Sequence, residues 1–121
     1  IIFLSFAVSL AESLKAEAVF IGAHSQDYSG YPDCRRNFLT AFSKAAALGT
    51  ASGVNKQGIK IIAPLINKGK SGIIKLGARL KVPYHLTWSC YEGGKLPCGK
   101  CGSCHYRVKG FKETGIKDPA L

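Results

Sequence analysis

Apolar residues at Ile1, Ile2, Leu4, Ala7, Val8, Ala11 and Leu14 recur at helical intervals and fill most of the circumference of the opening segment. A helix apolar on so many sides is expected to pack deep. The period then changes. Residues 18–23, AVFIGA, are an unbroken apolar run of strand length that gives way at once to polar and glycine-rich sequence. Such runs suit strands covered on both faces, so this one reads as a central parallel strand. In open α/β sheets ligands lie beyond the carboxyl ends of the strands, which makes HSQDYSGYPDCRR the expected binding loop.

In CRRNFLTAFSKAAAL, Phe38 and Phe42 stand one helical turn apart with Leu39, Ala45 and Ala46 nearby. The spacing predicts an amphipathic helix with Asp33 as its N-cap and an end near Gly49. TASGVNKQG reads as a turn-rich connection, and IKIIAPL as a second short strand ending at Pro64. NKGKSGIIKLGARLKV predicts a third helix, with Ser71 near its start and Ile73, Ile74, Gly77 and Leu80 on its inner face. Helix, strand, helix, strand, helix is the order of a doubly wound, Rossmann-like α/β layer with a parallel sheet. Neither a repeat nor a low-complexity tract interrupts it, so no domain boundary is expected.

The composition fits one folded core: 121 residues, 46% hydrophobic and 20% charged. Seventeen basic residues against 7 acidic ones give a formal charge of +10. That excess suits phosphate esters or nucleic acid, and equally a lysine-rich surface that serves solubility. Glu12, Lys15 and Glu17 interrupt the opening apolar run well short of the ~20 residues needed to cross a bilayer. No basic segment precedes Ile1, which argues against a signal peptide, and without an initiating Met the chain is expected to be a fragment.

Four of the five cysteines crowd into WSCYEGGKLPCGKCGSCH, at the spacing C-x7-C-x2-C-x2-C. This is not the spread of a disulfide framework, and a reducing cytoplasm is the expected compartment. Cys90, Cys98, Cys101 and Cys104 offer soft donors for a tetrahedral zinc ion with Zn–S near ~2.3 Å. Gly93, Gly94, Pro97, Gly99 and Gly102 permit the tight turns that aim backbone amides at sulfur. Two rivals use the same residues. Cys98, Cys101 and Cys104 begin a ferredoxin-type run, but Val108 stands where its next cysteine belongs, so Cys90 would have to serve. CGSCH matches the haem-attachment signature yet leaves Cys90 and Cys98 without a role. Zinc is favoured. With every position filled by protein its role is structural, and spacing alone does not separate a nucleic-acid-binding zinc module from an enzyme with a stapled loop.

In DYSGYPDCRR, Tyr28 and Tyr31 offer planar faces to a heterocycle, and Arg35 or Arg36 can grip a carboxylate or phosphate. Asp27 or Asp33 can accept hydrogen bonds from ring N–H donors. The competing reading is a plain turn in which Asp33 only caps a helix. Cys34 is either a thiol activated by the helix and its arginines or an inert packing residue.

IFLSFA, IGAHSQDYSGYPDCR, IIAPL, IIKLG, VPYHLTWSCY and CGKCGSCHYRVKGF together resemble the C-terminal half of the 7-cyano-7-deazaguanine synthase family, over nearly the whole chain. The resemblance implies an ATP-pyrophosphatase fold of the adenine nucleotide alpha-hydrolase type. It implies an ATP-dependent ligase that turns 7-carboxy-7-deazaguanine and ammonia into the nitrile through adenylated intermediates, on the route to queuosine or archaeosine in tRNA. Carried over by position, it makes Cys90, Cys98, Cys101 and Cys104 structural zinc ligands. It makes Asp27, Tyr28, Tyr31, Asp33, Arg35, Trp88 and Ser89 substrate-binding candidates, and Lys70 a candidate for phosphate or the adenylate. Residues 1–121 would form the C-terminal portion of one domain: an α/β layer over 1–89, a zinc loop over 90–104 and a tail over 105–121. The family's ATP-binding SGGxDS loop is not in this sequence, so the chain alone is not expected to be catalytic and its partner would be the N-terminal half of the same enzyme. Direct nucleic-acid or membrane binding is not implied, and a homodimer is left open. The alternative is a non-enzymatic four-cysteine zinc module that binds nucleic acid through a basic surface.

Overall fold

A computed structural model describes residues 1–120, except the side chains of Tyr28 and Ser29. The expectation for Tyr28 therefore lies outside the described residues. The chain divides into two compact units, Ile1–Asn67 and the residues from Lys68 onward.

The first unit opens with helix α1, Ile2–Ser13, and strand β1, Ala18–Phe20. Two 3-10 helices follow, Ser25–Ser29 and Pro32–Cys34, then helices α2, Arg36–Gly49, and α3, Ala51–Val54, and strand β2, Lys60–Ile62. The strands pair in parallel, with Val19 opposite Ile61. Parallel neighbours need a long crossover, and α2 with α3 supplies it. Leu4, Ala23, Leu39 and Ile66 are buried together, with Val19, Phe38, Phe42 and Ile61 packed against them. Val8, Ala11 and Ile59 form a second buried group.

The coarse sequence expectation, an α/β layer with a parallel sheet, is met by these two strands. Several finer expectations are corrected. Within this chain α1 buries Leu4, Val8 and Ala11, while Phe3, Phe6 and Leu10 on its other faces are exposed. One face of a helix is all that a single small sheet can cover. Phe20, at the end of β1, is likewise exposed. Asp33 does not cap α2, because Pro32 with its fixed φ sits in a tight turn closed by Arg35 N donating to Pro32 O at 3.2 Å. The helix therefore starts later, with Arg35 at its N-cap and no side-chain cap bond.

The connection read as turns carries α3, started by Thr50, whose Oγ1 accepts from Gly53 N at 3.2 Å. At this corner the backbone passes so close that a Cβ on Gly53 would stand 2.1 Å from Ala47 O. Gly53→Ala is expected to cost about 1–3 kcal/mol or more, because backbone and not a flexible side chain must yield. Gly49→Ala is the control, since a Cβ there meets nothing within 4 Å. Urea melts of the two variants should differ in midpoint, Gly53→Ala falling well below the wild type and Gly49→Ala not.

The second unit holds helix α4, Lys70–Arg79, a 3-10 helix, Tyr84–Leu86, and helix α5, Gly102–Thr114. α4 and α5 lie against each other where Gly110 leaves no room for a side chain: its Cβ would come within 2.8 Å of Lys70 Cβ and Ile74 Cδ1. Ile74 and Gly77 face inward as expected, but Leu80 is exposed. α4 has stopped by then, since Lys81 at φ +56° turns the chain so that Val82 N donates to Gly77 O at 2.9 Å. The stretch read as a tail carries α5, which buries Cys104, Arg107 and Phe111 and ends at Gly115 in the left-handed region. Among the described residues no helix is long and apolar enough to cross a membrane.

Candidate functional site

The sulfurs of Cys90, Cys98, Cys101 and Cys104 all lie within 4.8 Å of one another, and none is in a disulfide. A tetrahedron with Zn–S of ~2.3 Å has sulfurs about 3.8 Å apart, and Cys98 Sγ stands 4.0 Å from Cys104 Sγ. The donor set therefore fits one soft metal ion. Sulfurs this close leave no space for a multi-iron cluster between them. Cys101 and Cys104, the two cysteines of the haem-type signature, are both committed to the quartet.

Local sequence explains how the thiols converge. Gly93 and Gly99 take φ of +67° and +70°, turns that any other residue would resist. They let Glu92 N and Cys98 N both donate to Cys90 Sγ at 3.4 Å, and Lys100 N and Cys101 N donate to Cys98 Sγ at 3.4 and 3.3 Å. Cys101 occupies the N-cap of α5 and accepts from Cys104 N at 3.4 Å. These amides favour sulfur as thiolate. Amides of Cys98 and Glu92 hold the Cys90 thiol below its ordinary range, and those of Tyr91 and Cys104 bring Cys101 down to about 6. Burial works the other way on Cys104 and pushes it up to about 12. Neighbouring thiols as unequal as Cys90, Cys101 and Cys104 do not all ionise unaided; a divalent cation among them removes the conflict.

Beside the quartet, residues 84–90 are held from below by Arg107, a residue that the sequence reading missed. Its side chain is only 7% exposed. Nε donates to Asp118 Oδ2 at 2.5 Å and Nη2 to Asp118 Oδ1 at 2.8 Å. Nη1 reaches Thr87 O at 3.1 Å and Thr87 Oγ1 at 3.0 Å, and Nη2 lies 3.4 Å from Tyr84 O. The guanidinium also lies over the Phe111 ring, 5.4 Å from its centre. Ser89 Oγ is 3.5 Å from Nη1, a loose approach. Trp88 donates from Nε1 to Cys90 O at 2.8 Å and keeps 48% of its surface exposed. Lys70 is the first residue of α4, partly buried, with Gly69 at the N-cap.

In the first unit, Asp27 is engaged by its own loop. Its Oδ2 accepts from His24 N at 3.0 Å and its Oδ1 lies 3.3 Å from His24 Nε2, while His24 Nδ1 accepts from Gln26 N at 3.3 Å. His24, buried and likewise missed, forms with Asp27 a reciprocal cap whose only sequence trace is the H-x-x-D spacing. Tyr31 and Arg35 are exposed, and Asp33 is partly exposed. Arg36 donates to Asn67 Oδ1 at 3.0 Å. Cys34 packs against the buried cluster, and burial, then Asp27 and Asp33, push its thiol up, which favours inert packing over reactivity. The structure thus brings Asp27, Tyr31, Asp33 and Arg35 into one segment of the first unit. Lys70, Trp88, Ser89 and the four sulfurs belong to the second.

A family model described as "Queuosine biosynthesis protein QueC" matches residues 1–115. The chain is 59% identical over 118 residues to the 7-cyano-7-deazaguanine synthase of Acetivibrio thermocellus, covering 98% of this chain and 53% of that protein. It is 52% identical over 118 residues to the protein of the same name in Trichormus variabilis, covering 98% of this chain and 52% of that one. With the Picrophilus torridus synthase the identity is 56% over 117 residues, 97% of this chain and 48% of the relative. The chain spans about half the length of the curated relatives it matches.

Proposed function

From its place in the Queuosine biosynthesis protein QueC family, to which this chain belongs, we propose that it is the base-recognising half of an ATP-dependent nitrile-forming ligase. Its substrate is 7-carboxy-7-deazaguanine. ATP adenylates the carboxylate and releases pyrophosphate, ammonia displaces AMP to give the amide, and a second adenylation on the amide oxygen lets AMP and a proton depart, leaving the nitrile. The other half supplies the SGGxDS phosphate loop and the remaining strands of a doubly wound sheet, to which β1 and β2 contribute one parallel pair. ATP, ammonia and the deazapurine are the partners of the complete enzyme.

In this reading the quartet Cys90, Cys98, Cys101 and Cys104 holds zinc and the zinc does no chemistry, because protein sulfur fills every coordination position. What it supplies is a fixed anchor for residues 87–90. Trp88, tethered through Nε1 yet half-exposed, offers its ring to the deazapurine, with Ser89 beside it. Lys70 at the start of α4 adds its charge to the positive end of the helix and meets the phosphate or acyl adenylate, where negative charge develops. Tyr31, Asp33 and Arg35, in the loop after β1, are substrate-binding candidates through the family resemblance alone, and Asp27 keeps that loop in shape through His24.

The observation that carries this reading is the 59% identity to a synthase of that name, spread over 98% of the chain. The test is turnover by the full-length protein, with the nitrile product identified by mass. Arg35→Ala should raise KM for the carboxylated base on the order of tenfold or more and leave KM for ATP near the wild-type value. No nitrile from the wild type, together with tight salt-sensitive RNA binding, would instead identify a nucleic-acid module using the charge of +10.

A further inference from the structure

We propose that Arg107, locked in place by Asp118, is the positioning residue that gives residues 84–89 the shape that receives the carboxylated deazapurine; the inference rests on the reading above. A guanidinium has five N–H donors in a rigid fork. Here Nε and Nη2 close on the two oxygens of Asp118, and Nη1 takes Thr87 O and Thr87 Oγ1. Thr87 Oγ1 in turn donates to Tyr84 O at 2.8 Å. The turn that precedes Cys90 is thus tied to a helix and to a carboxylate 31 residues beyond Thr87 in the chain.

That tie matters because the segment's other bonds, Leu86 N to Pro83 O, Thr87 N to Tyr84 O and Trp88 Nε1 to Cys90 O, all stay within residues 83–90 and do not fix it to a helix. Leu86 is 74% exposed and Trp88 48%, so apolar burial does not fix their backbone. The sulfur of Cys90 anchors one end only. Tyr84, whose Oη donates to Ile74 O at 2.7 Å, anchors the other, and Arg107 ties the peptide between them to α5 at Thr87. A buried ion pair is a poor way to gain stability relative to well-packed apolar residues, and its better-attested use is to specify one arrangement. The arrangement specified here is one in which a single indole ring is oriented yet left half-exposed. Neither charge touches that ring's open face, so the pair acts on a ligand through the segment, not by contact.

The experiment uses the full-length protein with Arg107→Lys, Asp118→Asn and the paired replacement Arg107→Met with Asp118→Leu. Metal content, amide hydrogen exchange over residues 84–89, and KM for 7-carboxy-7-deazaguanine and for ATP are measured on each. The apolar pair removes both charges and should recover thermal stability towards the wild type. Even so, exchange over 84–89 should quicken and KM for the base should rise, each on the order of tenfold, with metal stoichiometry and KM for ATP unchanged. Arg107→Lys, whose ammonium cannot span Asp118 and Thr87 together, should behave the same way and keeps the test intact if the apolar pair does not fold. A variant with restored stability and wild-type KM for the base overturns the proposal, as does unchanged exchange in Arg107→Lys. The exchange measurement needs no substrate, so a wild type without turnover defeats the preceding reading alone, and unaltered exchange defeats this one alone.

Discussion

Cys98→Ser is expected to leave the purified protein with less than about a tenth of the wild-type metal and to open residues 91–100 to protease. Cys98 Sγ accepts two amides, from Lys100 and Cys101, and stands against Cys104 Sγ. A serine hydroxyl does not ionise near neutral pH, so the site keeps three thiolates and an incomplete tetrahedron. The loop has no core of its own to fall back on, for Tyr91 is 74% exposed and Leu96 78%. What fixes it is the convergence of sulfur and amide around a shared centre. Elemental analysis gives the metal, and limited proteolysis gives the order of the loop. Cys34→Ser is the control: its thiol is not among the four clustered sulfurs, and full metal content is expected there. Stoichiometric metal in Cys98→Ser would remove this quartet as the binding site.

The convergence of the four cysteines was legible because a cluster of this kind is almost wholly local. Its sulfurs lie within 15 residues, and glycines at 93 and 99 supply the turns, so spacing and turn chemistry carry nearly all the information. α2 was legible for a similar reason: Phe38 and Phe42 meet on one side, their rings tilted with centres 5.8 Å apart, as their spacing requires. What failed to show were the features decided by distant partners. The burial of Arg107 depends on Asp118, which ordinary propensity reads as one more polar residue near a chain end. The burial of His24 depends on a reciprocal bond with Asp27, so an acid that looked available to a ligand is engaged by its own loop. α1 is a different case. Its composition promises burial on every side, whereas burial needs something to pack against, and within this chain only the Leu4–Val8–Ala11 face finds it.

Asp118→Ala should destabilise the protein by about 3–5 kcal/mol, because it leaves the Arg107 charge buried without its counter-ion. The side chains are 7% and 6% exposed, so water does not replace the lost carboxylate without opening the structure. The same pair sets an acid limit. The Arg107 hydrogen bonds hold the Asp118 carboxyl below its usual value of 3.8, so the folded state prefers the ionised form. Above 3.8 the carboxyl is ionised in folded and unfolded chains alike, and the pair contributes in full. As the pH falls below 3.8 the unfolded chain takes up a proton that the folded chain refuses, and the contribution shrinks until the folded carboxyl is protonated too. Arg107 stays charged throughout, since Asp118 raises its already high value. Urea melts at neutral pH and at a series of acid pH values separate the effects: the difference between wild type and Asp118→Ala should be constant above about pH 5 and narrow as acid is added. A gap that persists unchanged to the lowest pH at which both fold would mean that packing around Asp118, and not its charge, holds Arg107 in place.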